Sequence, residues 1–173
     1  MERGLIHVYH GDGKGKTTCA FGLALRCAGC GYPVRIVQFL KGGETGEVNA
    51  IAKLSGVQLL RAATGTKFTF RMNEAERRQA QRDNTTLLER AFSEAGNLRL
   101  LVLDEVLIAC GTGMVDEARL RQLLMQRPPQ LEVVLTGRNP PQWLLDMADY
   151  VTQMCKQKHP YDRGVRARRG VEW

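Results

Sequence analysis

Short apolar runs recur along the chain, separated by longer stretches whose apolar residues follow helical spacing. Residues 5–9 (Leu-Ile-His-Val-Tyr) predict a first strand, 34–39 a second, 57–60 a third, 98–103 a fourth, 131–135 a fifth and 150–154 a weaker sixth. Between them, a helix is predicted over about 16–28, and a long polar helix over about 73–94. Trp143, just after Pro140-Pro141, reads as a packing residue at another helix start. Strands that alternate with helices imply βαβ crossovers. The expected fold is therefore α/β, a mainly parallel sheet with helices on both faces. Ligands of such sheets sit at the carboxyl ends of the strands.

The most specific local signal lies between the first strand and its helix. His10-Gly11-Asp12-Gly13-Lys14-Gly15-Lys16-Thr17-Thr18 has the make-up and setting of a phosphate loop. Glycines let backbone N–H groups turn toward an anion, and the helix start adds unpaired N–H groups and a positive dipole end. Lys16 supplies a full charge, and the Thr17 hydroxyl is the usual Mg²⁺ ligand of such loops. The expected architecture is that of a P-loop NTPase, RecA-like. The loop is short, however. Three residues separate Gly11 from Gly15, and His10 stands where the usual first glycine would be. A shorter nest cannot trace the ordinary phosphate path.

The fourth strand ends in Asp104-Glu105. Mg²⁺ bridges phosphates through one or two carboxylates. Neighbouring strand residues point to opposite faces, so one of the pair should dominate.

Composition narrows the setting. The 173 residues are 43% hydrophobic, enough for one self-sufficient domain, expected to span 1–173 with a basic tail from about 156. The formal charge of +7 suits phosphate-rich partners. The charged 73–94 segment mixes signs, which favours a solvated face over a nucleic-acid stripe, so no nucleic-acid partner is expected. No secretory leader or membrane span is evident, and five cysteines make an odd number, so a reduced cytoplasmic protein is expected. Cys27-Ala28-Gly29-Cys30 lacks a second pair at zinc-site spacing. His7 and His10 read as structural.

Taken together, the motifs resemble the P-loop corrinoid adenosyltransferases. The family's short loop is matched by Gly11 to Thr18, and its second strand resembles Val37-Gln38-Phe39-Leu40-Lys41-Gly42. Ala63-Thr64-Gly65 with Phe68 and Phe70, Val102 to Glu105, Thr136-Gly137-Arg138, and Lys158-His159-Pro160-Tyr161-Asp162-Arg163-Gly164 follow in the family's order. The resemblance implies that cobalt(I) of a corrinoid attacks C5′ of ATP and that triphosphate leaves. It implies ATP held in the reverse sense to hydrolases, with Gly11, Asp12, Gly13, Lys14, Gly15, Lys16, Thr17 and Thr18 around the phosphates. Glu105 and Thr17 would hold Mg²⁺, and Lys16 and Glu105 would be the catalytic pair. Gln38, Lys41 and Arg138 are further nucleotide candidates, and His159 is a corrinoid candidate. Phe68 and Phe70 would cover the lower cobalt face, the second where a relative has tryptophan; the alternative is that both belong to the core. The basic tail is either solvated or close to phosphate or corrin side chains. A flavoprotein reductant and a homodimer are also implied. The competing function is a small-molecule kinase or NTPase transferring the γ-phosphoryl group. A nucleotide-dependent nucleic-acid module is suggested by charge alone.

Overall fold

The computed structural model describes residues 3–43, 45–62 and 71–172. Six strands are present: β1 Ile6–His10, β2 Val34–Gln38, β3 Val57–Arg61, β4 Leu100–Asp104, β5 Glu132–Gly137 and β6 Tyr150–Gln153. The helices are α1 Lys16–Gly29, α2 Gly46–Ile51, α3 Glu74–Phe92, α4 Val106–Gly111, α5 Glu117–Met125 and α6 Gln142–Met147. The strands form one sheet in the order β3-β2-β4-β5-β1-β6, and all pairings are parallel. This is the α/β arrangement expected of a P-loop NTPase-like chain.

Strand alternation builds two cores. Leu101 and Leu103 of β4, Val133 and Leu135 of β5, and Val37 of β2 pack with Leu87 and Leu88 of α3 and Leu120 and Leu124 of α5. Leu100, Val102, Val134, Val34 and Ile36 point the other way, onto Ala20, Phe21 and Ala24 of α1. Burial on both faces explains why β2 and β4 are apolar nearly throughout, without alternation.

The one polar intrusion among β2's first residues is Arg35, 6% exposed. Its guanidinium donates to the carbonyls of Arg90, Ala91 and Ser93 at the end of α3, and to Gln58 Oε1. Those carbonyls lack helical partners, so Arg35 serves as a buried cap that fixes α3 to the sheet. At its other end, α3 starts in a reciprocal capping box between Asn73 and Glu76.

The predicted helix over 73–94 is shorter at its end, because Ser93 turns extended (ψ 135) and Glu94 follows in the left-handed region at φ 54. The fourth strand starts two residues later than expected; Leu98 closes a 3-10 turn, Ala95–Asn97, before the chain pairs. Helices α2, α4 and α5 were not foreseen individually. Helix α4 follows the acidic pair directly, and its buried Val106, Leu107 and Ala109 leave no polar stripe to mark a helical period. No described helix is long and apolar enough to cross a membrane.

Candidate active site

Parity along the strands assembles the site. On the α1-facing rows, Val34–Ile36 is followed by Gln38, Leu100–Val102 by Asp104, and Val134 by Thr136. Each row thus ends in a polar side chain at the carboxyl edge of the sheet, beside the start of α1. Gln38 and Asp104 are register partners.

Asp104 is fully buried and is the hub of this group. Its Oδ1 accepts from Thr17 Oγ1 at 2.9 Å and from Thr136 Oγ1 at 2.8 Å. Its Oδ2 accepts from Gln38 Nε2 at 3.1 Å and from Lys41 Nζ at 2.9 Å. These four donors occupy the four lone-pair directions of an ionised carboxylate. With Lys41 in place, Asp104 therefore positions its neighbours and has no lone pair left for a metal. By giving its proton to Asp104, the Thr17 hydroxyl keeps its lone pairs for a cation.

Glu105 sits one residue on, in the left-handed region at φ 62, with its N–H bonded to Thr136 Oγ1 at 2.9 Å. Three of the four positive-φ non-glycine residues among those described, Leu40, Glu105 and Asn139, follow the carboxyl ends of β2, β4 and β5. Such backbone costs about 1–3 kcal/mol each and gathers where a site needs it. Burial raises the Glu105 carboxyl above its usual range, against the pull of Lys41. Burial acts to lower the Lys41 ammonium, but Asp104 and Glu105 outweigh it, so Lys41 is raised and stays charged. Its Nζ is 3.2 Å from Glu105 Oε1 and 3.3 Å from Thr17 Oγ1.

The phosphate loop is held from the side by the end of β6. Gly13 N–H donates to Met154 O at 2.7 Å. A Cβ on Gly11 would lie 2.4 Å from that same oxygen, and one on Gly13 2.7 Å from it. These two glycines are thus required by the close approach of β6, and the Gly13 amide is not available to an anion. The amides left for phosphate are those at the start of α1, which has no side-chain cap and no acidic residue in its first turn. Lys16 Nζ donates to Gly13 O at 2.7 Å. Burial, reinforced by the nearby Arg138 charge, holds the Lys16 ammonium below its usual range. An added anion would reverse that penalty.

The other expected residues divide. Arg138 is exposed at the end of β5, near Lys16. Thr18 is exposed on the first turn of α1. Asp12 and Lys14 face the tail: Asp12 Oδ1 accepts from Lys156 N at 3.0 Å, and Lys14 Nζ donates to Val171 O and pairs with Glu172 at 3.3 Å. Arg168 holds the Glu172 carboxyl down at about 2. The basic tail therefore returns to the loop, and a hollow of about 400 Å³ lies between them, lined by Lys14, Lys158, His159, Tyr161 and Arg166. Phe68 and Phe70, and with them Ala63-Thr64-Gly65, lie outside the described residues. His7 pairs with Glu132 at 2.6 Å and stacks on Tyr150, and Trp143 donates to Glu117, both away from the loop.

Two contributors were missed from sequence. Thr136 was noted only as part of a motif, although strand parity from Val134 places it beside Asp104. Met154 acts through its carbonyl, which no side-chain pattern reveals.

Among the described residues no three His, Cys, Asp or Glu side chains converge on one point. Hard oxygens do converge, from Thr17 and Glu105, and Gln38 Oε1 is buried without a partner among the described residues. This donor set fits a hard divalent cation that takes its remaining ligands from phosphate and water.

Comparison with known proteins agrees with this geometry. The family model described as ATP:corrinoid adenosyltransferase BtuR/CobO/CobP matches residues 2–173. A corrinoid adenosyltransferase of Sinorhizobium sp is 36% identical over 99% of this chain and 81% of its own length. One of Escherichia coli K12 is 34% identical over 99% of this chain and 87% of its own. Corrinoid adenosyltransferase CobA of Salmonella typhimurium is 35% identical, again over 99% and 87%. A phosphate loop, a carboxylate hub at the neighbouring strand end and a match along the whole chain converge: this protein belongs to the ATP:corrinoid adenosyltransferase family.

Proposed function

We propose that this chain transfers the 5′-deoxyadenosyl group of ATP to cobalt(I) of a corrinoid and releases triphosphate. The observation that carries the reading is the short loop Gly11 to Thr18, joined through Thr17 to the Asp104 hub, in a chain matched along its length by that family. Membership in the family favours adenosyl transfer over phosphoryl transfer.

The nucleophile is the substrate's own metal, so no serine, cysteine or histidine nucleophile is needed. The protein has two tasks. It must stabilise charge on the departing triphosphate, and it must align C5′ with cobalt. Lys16 and the free amides of α1 face the growing negative charge, and Lys14 joins them if it leaves Glu172. Arg138 adds positive potential beside Lys16. Thr17 and Glu105 would hold Mg²⁺, which when bound neutralises phosphate oxygens. Asp104, Thr136 and Gln38 set the positions of those two ligands. The 400 Å³ hollow, with His159 in its lining, would receive the polar periphery of the corrinoid. Phe68 and Phe70, covering the lower cobalt face, belong to the same proposal, as do a flavoprotein reductant, a homodimer and a cytoplasmic setting; these rest on resemblance alone.

Lys16→Ala and Glu105→Ala should each lower turnover by ~100-fold or more, with Tm near that of the parent. Parental turnover in either variant contradicts its role. A crystal of the ATP complex should show C5′ facing the open cleft. A γ-phosphoryl group in that place would refute adenosyl transfer.

A further inference from the structure

The end of β4 with the residue that follows it, and the first turn of α1, bring three oxygens to a single ammonium group. Lys41 Nζ is 2.9 Å from Asp104 Oδ2, 3.2 Å from Glu105 Oε1 and 3.3 Å from Thr17 Oγ1. The lysine follows the left-handed turn at Leu40, and its side chain is 27% exposed. All three partners open to a divalent cation once the ammonium leaves, because Lys41 is itself one of the four donors that fill Asp104. The ammonium thus touches the same atoms that a metal would bind.

We propose that Lys41 fills the divalent cation's place in the nucleotide-free protein, and that arrival of the metal–nucleotide complex exchanges one cation for the other. The proposal deepens the reading above, and it rests on that reading for the identity of the nucleotide. Charge decides against co-occupancy. Asp104 and Glu105 carry two negative charges when ionised. A bare divalent cation balances them alone, and a lysine added to it would leave an excess positive charge in a largely buried space; the phosphates of a nucleotide bring their own negative charge, which draws the displaced ammonium to them. Size also decides, because a metal must approach oxygen to about 2.1 Å, into space the Nζ hydrogens hold. Displaced, the ammonium stays at the mouth of the loop on its four-carbon stem, where a polyphosphate oxygen can receive it. In the empty protein the same lysine keeps two adjacent carboxyl groups neutralised, and bare metal must compete with it for the site. Lys41 is therefore a positioning residue whose effect is read in metal binding.

The test uses Mn²⁺ as the probe, followed by the paramagnetic resonance signal of the free ion. Without nucleotide, Lys41→Met should bind Mn²⁺ about tenfold or more tightly than the parent. With ATP present, its Mn²⁺–ATP complex should bind more weakly than the parent's. Equal nucleotide-free Mn²⁺ affinity in the two proteins would overturn the exchange. Amine labelling of the parent, mapped by mass spectrometry, decides the matter even if the variant misfolds. Millimolar Mg²⁺ alone should raise Lys41 labelling severalfold, and Mg²⁺–ATP should suppress it. Labelling unmoved by either would overturn the proposal. Failure of the parent to bind Mn²⁺–ATP at all would instead refute the nucleotide reading, leaving the nucleotide-free comparison to judge Lys41.

Discussion

Replacing Gly13 by alanine separates two reasons a phosphate loop can need glycine. If the residue serves only an anion, the nucleotide-free protein should tolerate a methyl group. The structure says otherwise. The added Cβ would stand 2.7 Å from Met154 O, 2.9 Å from Met154 C and 3.0 Å from Cys155 C. Ordinary contact begins near ~3.5 Å, so the closest approach is short by about 0.8 Å. All three neighbours are backbone atoms, and no rotamer change relieves them. Either the loop or the end of β6 must shift, and the 2.7 Å bond from Gly13 N to Met154 O is stretched or lost. Overpacking of this kind costs about 1–3 kcal/mol. For a chain of this size each kcal/mol moves Tm by ~2–4 °C, so the fall should be about 2–12 °C. Thermal unfolding followed by circular dichroism, without nucleotide, is the assay. Gly22 is the control: it is exposed inside α1 with nothing within 4 Å of its Cβ position, so Gly22→Ala should raise stability by ~0.5–1 kcal/mol. An unchanged or raised Tm for Gly13→Ala, with nucleotide binding alone impaired, would refute the clasp.

Two further outcomes follow from burial. Arg35→Met keeps much of the stem but removes the guanidinium that satisfies the carbonyls of Arg90, Ala91 and Ser93. It should cost about 2–4 kcal/mol in urea unfolding, and a change under 1 kcal/mol would deny Arg35 its capping role. The Cys110 thiol is pushed up to about 12 by burial, with Glu117 and Asp116 adding to the effect. The raised value disfavours the reactive thiolate, so at pH 8 only ~1 in 10⁴ molecules carries it, and labelling should climb as pH approaches 12. Iodoacetamide at pH 8 should modify exposed Cys19, Cys30 and Cys155 long before Cys110, and comparable rates would contradict this.

Much of the architecture was legible because a buried parallel sheet writes itself as apolar runs. All six strands lie where the runs are, and β5 extends two residues further because Thr136 and Gly137 continue it after the apolar pattern ends. The site was legible in part. The loop and acidic pair announce themselves through composition, and strand parity could have selected Asp104 as the buried member and Thr136 as its partner. Other features leave no local trace. The Met154 carbonyl that meets the loop, the Glu172 latch on Lys14 and the placement of Lys41 between two carboxyl groups depend on residues far apart in the chain. The first two arise only once β6 and the tail have returned to the first strand, and the third once β2 has paired with β4.

Adenosyl transfer itself is tested most directly by its products. The protein is mixed anaerobically with Mg²⁺, ATP and a chemically reduced corrinoid. The absorption spectrum then reports the cobalt–carbon bond, and phosphorus resonance identifies the phosphate released. Adenosylcorrinoid and inorganic triphosphate in equal amounts are predicted. ADP and orthophosphate, with the corrinoid left without an alkyl ligand, would contradict the account.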